Sequence, residues 1–108
     1  MRYITLWLTL LVLASGSLAA SQAWAHKVNL FAYVEGGTVY TESYFPDGKK
    51  VEGGAIEVLD ASGKKVLEGK TDAQGTFNFP LPKKEDLTIM LDATMGHKNS
   101  FILKKSEM

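Results

Sequence analysis

Residues 28–45 read VNLFAYVEGGTVYTESYF, and this stretch decides the fold. Its first part alternates apolar and other side chains, which is the two-residue period of a strand with one buried face. The Glu-Gly-Gly sequence at 35–37 is typical of a turn, and a second strand pattern follows from Thr38 to Phe45. We therefore predict a hairpin whose first strand buries Val28, Leu30, Ala32 and Val34.

Strand patterns recur along the rest of the chain at intervals of about 8 to 12 residues, with turn chemistry between them. Turns are predicted at 46–48, 60–63 and 71–75, and no segment shows the sustained 3.6-residue period of a helix. Pro80 and Pro82 are predicted to end the fifth strand. The five further strands are marked, in order, by Ile56 and Val58, by Val66 and Leu67, by Phe77 and Phe79, by Leu87, Ile89 and Leu91, and by Phe101 and Leu103.

Seven short strands in a chain of this size predict an all-β fold. The expected architecture is a seven-stranded antiparallel β-sandwich of the immunoglobulin-like or transthyretin-like kind.

The first 25 residues have the organisation of a secretory signal peptide. Arg2 precedes an apolar stretch at 4–14, and Ala23-Trp24-Ala25 is a small-residue cleavage site. The apolar stretch is about half of the roughly 20 residues that a membrane-spanning helix needs. We predict cleavage after Ala25, because the first strand pattern starts directly beyond it; a second candidate site follows Ala19. Residues 1–25 are thus predicted to be a cleaved signal and residues 26–108 a single exported domain.

The composition of the chain argues against several classes of function. No cysteine is present, so neither disulfides nor a lipidated cysteine can occur. Removal of Arg2 with the signal leaves eleven lysines against twelve carboxylates, which gives no general attraction to nucleic acid or to anionic membranes. No Ser-His-Asp spacing or glycine-rich phosphate loop is present, so we predict that the protein is not an enzyme. An oxidative enzyme built on an N-terminal histidine is disfavoured, because so small a domain offers little substrate surface.

The two histidines are the candidate metal ligands of the chain. Cleavage after Ala25 would make His26 the first residue, whose α-amine and ring Nδ1 can close a six-membered chelate on a metal ion. His97 lies in the loop predicted between the sixth and seventh strands. If successive strands alternate in direction, that loop and the start of the first strand share one end of the sandwich. Three nitrogen donors suit Ni²⁺, Co²⁺, Cu²⁺ and Zn²⁺ rather than Mg²⁺ or Ca²⁺.

Other readings stay open at this point. Residues that could complete a coordination shell are Met95, Asp47, Asp72, Asp92 and Glu42, and the sequence does not choose among them. A histidine in a surface loop is usually only solvated. The aromatic residues Phe31, Tyr33, Tyr40 and Tyr44 could form a ligand-binding face, but core or cross-strand pairing is the commoner role of aromatics in strands.

Two resemblances extend these predictions. Residues 54–64, GAIEVLDASGK, and 69–79, GKTDAQGTFNF, resemble a carboxypeptidase regulatory-like domain, which implies a prealbumin-like β-sandwich. Residues 26–36, HKVNLFAYVEG, with 40–45, YTESYF, and 95–98, MGHK, resemble the exported accessory (L) component of nickel/cobalt uptake transporters of the energy-coupling-factor type.

The second resemblance extends over nearly all of residues 26–104 and includes both histidines. It implies capture of Ni²⁺ or Co²⁺, or its presentation to a membrane permease, in the periplasm or at the outer face of the cytoplasmic membrane. The same nitrogen ligands would also suit a periplasmic copper carrier. A third hypothesis is a metal-independent module that docks on a membrane partner through a strand edge.

Overall fold

A computed structural model describes residues 27–108, so the predicted signal and His26 lie outside the described residues. The described part contains seven strands, as predicted, and a short 3₁₀ turn at Lys105–Glu107. No helix within residues 27–108 is long and apolar enough to cross a membrane. The strands are β1 (Asn29–Glu35), β2 (Thr38–Tyr44), β3 (Ala55–Leu59), β4 (Lys65–Lys70), β5 (Phe79–Pro80), β6 (Leu87–Asp92) and β7 (Lys98–Leu103).

The strands form two antiparallel sheets, in the orders β1-β2-β5 and β4-β3-β6-β7. A single core of buried apolar side chains contains residues of both sheets, an arrangement compatible with a β-sandwich. The alternation predicted for β1 is confirmed, because its inward residues are buried or partly buried while those between them face outward. The core residues are Val28, Leu30, Ala32, Val39, Val51, Ile56, Val58, Phe79, Leu87, Ile89, Leu91, Ala93 and Leu103.

The fifth strand is shorter than predicted. It ends at Pro80, as expected, but consists only of Phe79–Pro80, although Phe77 was expected to belong to it. The buried hydroxyl of Thr41 on β2 donates to the carbonyl oxygen of Phe77 and accepts its N–H, both at 2.8 Å. Side-chain hydrogen bonds thus replace the ladder beside β2, and Pro80 is tolerated because β5 is an edge strand.

Contacts between loops define the two ends of the domain. At one end, the ring of Phe45, just after β2, contacts that of His97, between β6 and β7. The side chain of Asn99 donates to the carbonyl oxygen of Val28 at 2.7 Å, which brings the approach to β1 to the same end. We call this the β1-start end. The loops at the other end meet where the Lys83 ammonium lies 3.1 Å from the Asp60 carboxylate.

A close approach between β4 and the segment before β5 makes the glycine at position 69 necessary. A Cβ there would overlap the ring edge of Phe77. We expect Gly69→Ala to lower the free energy of unfolding by about 1–3 kcal/mol, because the ring must move out of a packed position. Urea denaturation would measure the change, with the exposed neighbour substitution Lys70→Ala as the control. Adding Phe77→Leu to the Gly69→Ala chain should reduce the loss of stability. An equal loss in the presence of Phe77→Leu would contradict this explanation.

Asp60 is expected to make the folding stability of the domain depend on pH. Its carboxylate is buried and accepts hydrogen bonds from the Ser62 hydroxyl, the Lys64 N–H and the Lys83 ammonium, which hold its pKa well below the usual range. Since this pKa is lower in the folded than in the unfolded chain, the unfolded state gains protons first as the pH falls. The stabilisation is therefore present at neutral pH and is lost below about pH 4, near the pKa of an unfolded aspartate.

Urea denaturation at several pH values between 7 and 2 tests this expectation. Asp60→Asn should be less stable at neutral pH and should show a shallower loss of stability below pH 4. Some acid dependence should remain, because hydrogen bonds also lower the pKa of Asp72 and Asp86. A wild-type slope in the Asp60→Asn variant would contradict the assignment.

Candidate metal-binding site

His97 is the described residue on which the candidate site depends, and it lies in the loop between β6 and β7. The loop is closed by two backbone hydrogen bonds, from the Ala93 N–H to the His97 carbonyl oxygen at 2.8 Å and from the His97 N–H to that of Thr94 at 2.9 Å. The carboxylate of Asp92, at the end of β6, accepts the N–H of Thr94 at 3.0 Å. These bonds set the backbone that carries the imidazole.

The tip of this loop has an unusual backbone. Thr94, Met95 and Gly96 have φ angles of +70°, +51° and +81°, in the left-handed region that non-glycine residues seldom adopt. Such conformations cost free energy and persist only where surrounding bonds impose them. The side chain of Met95, at this tip, is 90% exposed.

The imidazole of His97 is half-buried against Phe45. The two ring centroids are 5.5 Å apart and the planes meet at 78°, an edge-to-face contact. Nδ1 of His97 is the one buried side-chain nitrogen or oxygen in residues 27–108 that has no hydrogen-bond partner there. A buried polar atom without a partner calls for an explanation, and coordination of an ion is one of the recognised ones.

A cleft lies between the start of the domain and the start of β7, directly after His97. It is lined by Lys27, Val28 and Asn29 on one side and by Lys98 and Asn99 on the other. The first described residue and the residues directly after His97 are therefore neighbours. His26, the second predicted ligand, is among the residues that are not described, so the predicted pairing of the two histidines stays a prediction.

The carboxylates proposed to complete a shell are mostly engaged elsewhere. Asp72 accepts two backbone N–H groups, of Gln74 and Thr76, and the Thr76 hydroxyl, and these bonds lower its pKa. Asp47 accepts the N–H of Lys49, and Glu42 lies on the outer face of β2. Each of these bonds belongs to a turn of the fold rather than to a ligand set.

Two of the five candidates, Asp92 and Met95, are close to His97 in the sequence. Asp92 starts the loop and lies 3.9 Å from the ammonium of Lys98, and Met95 stands at its exposed tip. Nevertheless, residues 27–108 contain no group of three or more histidine, cysteine, aspartate or glutamate side chains arranged to hold a metal ion.

The aromatic residues of β1 and β2 lie outside the core. Tyr33 and Tyr40 form the expected cross-strand pair, with ring centroids 5.3 Å apart and planes at 18°. Phe31 is 48% exposed, and Tyr33 and Tyr44 are each 39% exposed, all on the outer face of the three-stranded sheet. The structure thus confirms cross-strand pairing and shows in addition an exposed aromatic face.

Comparison with known proteins identifies a relative but no activity. No protein-family model and no solved structure matches the chain. The chain is similar to an uncharacterized protein of Haemophilus influenzae (strain Rd KW20), with 30% identity over 83 residues that cover 74% of this chain. The alignment covers 52% of that protein, so the chain spans about half the length of this relative.

Proposed function

We propose that the protein is an exported, extracytoplasmic metal-binding accessory component of a nickel or cobalt uptake transporter. It captures the ion through the α-amine and imidazole of His26 and the imidazole of His97, and presents it to the membrane permease. The observation that carries this proposal is the buried, unpartnered Nδ1 of His97 at the β1-start end. The two antiparallel sheets are compatible with the β-sandwich that this proposal assumes.

The donor set accounts for both binding and release. Lys27 lines the cleft beside Lys98 and Asn99, and His26 is covalently joined to Lys27. Three nitrogen donors leave at least one position of a four-coordinate ion for water or for a ligand of the partner. Such an open position lets a permease take over the ion by ligand exchange. Cu²⁺ binds nitrogen sites more tightly than Ni²⁺ or Co²⁺, so a copper carrier using the same residues is distinguished by its partner rather than by affinity.

Calorimetry with the secreted chain tests the proposal, after mass spectrometry has shown that it begins at His26. We expect one Ni²⁺ or Co²⁺ per chain. His97→Ala, or one alanine added before His26, should each weaken binding by about 100-fold, which corresponds to ~2.7 kcal/mol. One alanine added after Met108 is the matched control and should change nothing. Unchanged affinity after the alanine is added before His26 would refute the chelate.

Metal affinity should fall in mild acid. The α-amine, with an ordinary pKa of about 8, must lose its proton to bind the ion. Below that pH we expect the dissociation constant for Ni²⁺ to rise by about tenfold per pH unit, the effect of one competing proton. Titrations at pH 8, 7 and 6 would measure it. The chain extended by one alanine before His26 should lose most of this dependence, and a wild-type affinity that is flat over this range would exclude the amine as a ligand.

The exposed aromatic face favours a second candidate, a metal-independent module that docks on a membrane transporter. Such docking would use Phe31, Tyr33 and Tyr44, whose rings are partly exposed on one face of the three-stranded sheet. In a binding assay with membranes containing the permease and with chelator, this candidate predicts normal binding by His97→Ala and loss of binding by Phe31→Ser. Binding that needs both the ion and His97 would favour the metal-binding role.

A further inference from the structure

We infer that His97 coordinates the ion through Nδ1, and that Phe45 is the positioning residue that holds the ring in this orientation. This inference rests on the proposed function and adds the ligating atom and its support. It is drawn from the contacts of residues 27–108 alone.

The unpartnered nitrogen identifies the ligating atom. A neutral imidazole has one N–H donor and one lone-pair acceptor, so each nitrogen needs a partner when it is buried. Nδ1 of His97 is buried and has none in the described part of the chain. Coordination of an ion at Nδ1 would use its lone pair and leave the proton on Nε2.

Coordination through Nε2 would lack the hydrogen bond from Nδ1–H that usually accompanies it. A histidine that binds a metal through Nε2 almost always donates its Nδ1–H to a carboxylate, a carbonyl group or water, which sets the ring orientation. Within residues 27–108, Nδ1 makes no hydrogen bond to any protein acceptor. The neighbouring carboxylate of Asp92 is engaged with the N–H of Thr94 and lies near Lys98.

Phe45 orients the imidazole of His97 in place of a hydrogen-bond acceptor. Its backbone is held in a tight turn, since its N–H donates to the Lys49 carbonyl oxygen and its own carbonyl oxygen accepts the Gly48 N–H, both at 2.8 Å. The loop that carries His97 is closed by its own backbone hydrogen bonds. The edge-to-face contact therefore joins two fixed backbones and limits rotation of the imidazole.

Nuclear magnetic resonance tests the ligating atom on the wild-type chain beginning at His26. Zn²⁺ serves as a diamagnetic probe, and long-range ¹H–¹⁵N correlation distinguishes the two ring nitrogens; His97→Gln assigns the His97 signals. We expect zinc to move the Nδ1 resonance of His97 and to leave Nε2 protonated. Zinc-dependent change at Nε2 with a protonated Nδ1 would overturn the inference.

A matched pair of variants tests the positioning role. Phe45→Leu should weaken Ni²⁺ binding by about two- to tenfold, the effect of ordering one freed side chain. Phe101→Leu is the control, because Phe101 is also partly buried and makes a similar edge-to-face contact, with Phe31 at 5.5 Å. Equal affinities for the two variants would overturn the role of Phe45 while leaving the proposed function intact. A wild-type chain that binds no ion would overturn both.

Discussion

Ile89→Ala is expected to lower the free energy of unfolding by about 3–4 kcal/mol, within the range for large aliphatic residues cut to alanine in packed cores. Ile89 lies in the middle of β6, between β3 and β7, and its side chain has no exposed surface. The cavity would open at the centre of the core, where the paired strands on both sides limit collapse. Small domains have only about 5–15 kcal/mol of total stability, so this variant should be close to unfolding at 37 °C.

Ile102→Ala is the matched control for that experiment. Ile102 lies on the adjacent strand β7, but its side chain faces outward and is 53% exposed. The same truncation there should change stability by less than about 0.5 kcal/mol in urea denaturation. Equal losses in the two variants would mean that the four-stranded sheet does not cover the core as described.

Thr71→Val is expected to lower the free energy of unfolding by about 2–4 kcal/mol, although the two side chains have nearly the same shape. The hydroxyl of Thr71 is buried; it donates to the Val51 carbonyl oxygen at 2.6 Å and accepts the Gly54 N–H at 2.8 Å. Valine would leave both backbone groups buried without a partner, at about 1–3 kcal/mol each, partly relieved by relaxation. The two bonds tie the loop before β3 to the chain after β4.

Thr71→Ser distinguishes the contribution of the hydroxyl to stability from that of the methyl group. Serine keeps both hydrogen bonds and loses one methyl group, so it should cost only about 1 kcal/mol. Urea denaturation of the two variants gives the comparison directly. If valine were as stable as serine, the hydroxyl would not be what holds this loop.

The strand pattern was predictable because it depends on local alternation. The inward residues of β1, β3 and β6 are those that the two-residue period indicates, and their burial follows from the need to cover one face of each sheet. β5 was predicted wrongly in its extent, because the polar inward residue Thr41 binds the segment before it by side-chain hydrogen bonds. A pattern of apolar residues carries no information about such partners.

The candidate site was predictable only in part. Residue type and loop position pointed to His97, and the alternation of strands placed its loop at the same end as the start of β1. The contact between Phe45 and His97 was not predicted. Phe45 was interpreted as the last residue of an aromatic strand, and His97 lies 52 residues further along the chain. Nothing in the local sequence signals an edge-to-face contact between two loops.

The sequence by itself determined the all-β class, the seven strands, the inward face of each main strand, and the presence of two histidines in a chain without cysteine. These properties follow from local periodicity and composition. Only the tertiary structure decided that the Nδ1 of His97 is buried without a partner in residues 27–108 and that Phe45 packs on its ring. Such properties depend on how separate loops meet at the end of two packed sheets, which no local pattern encodes.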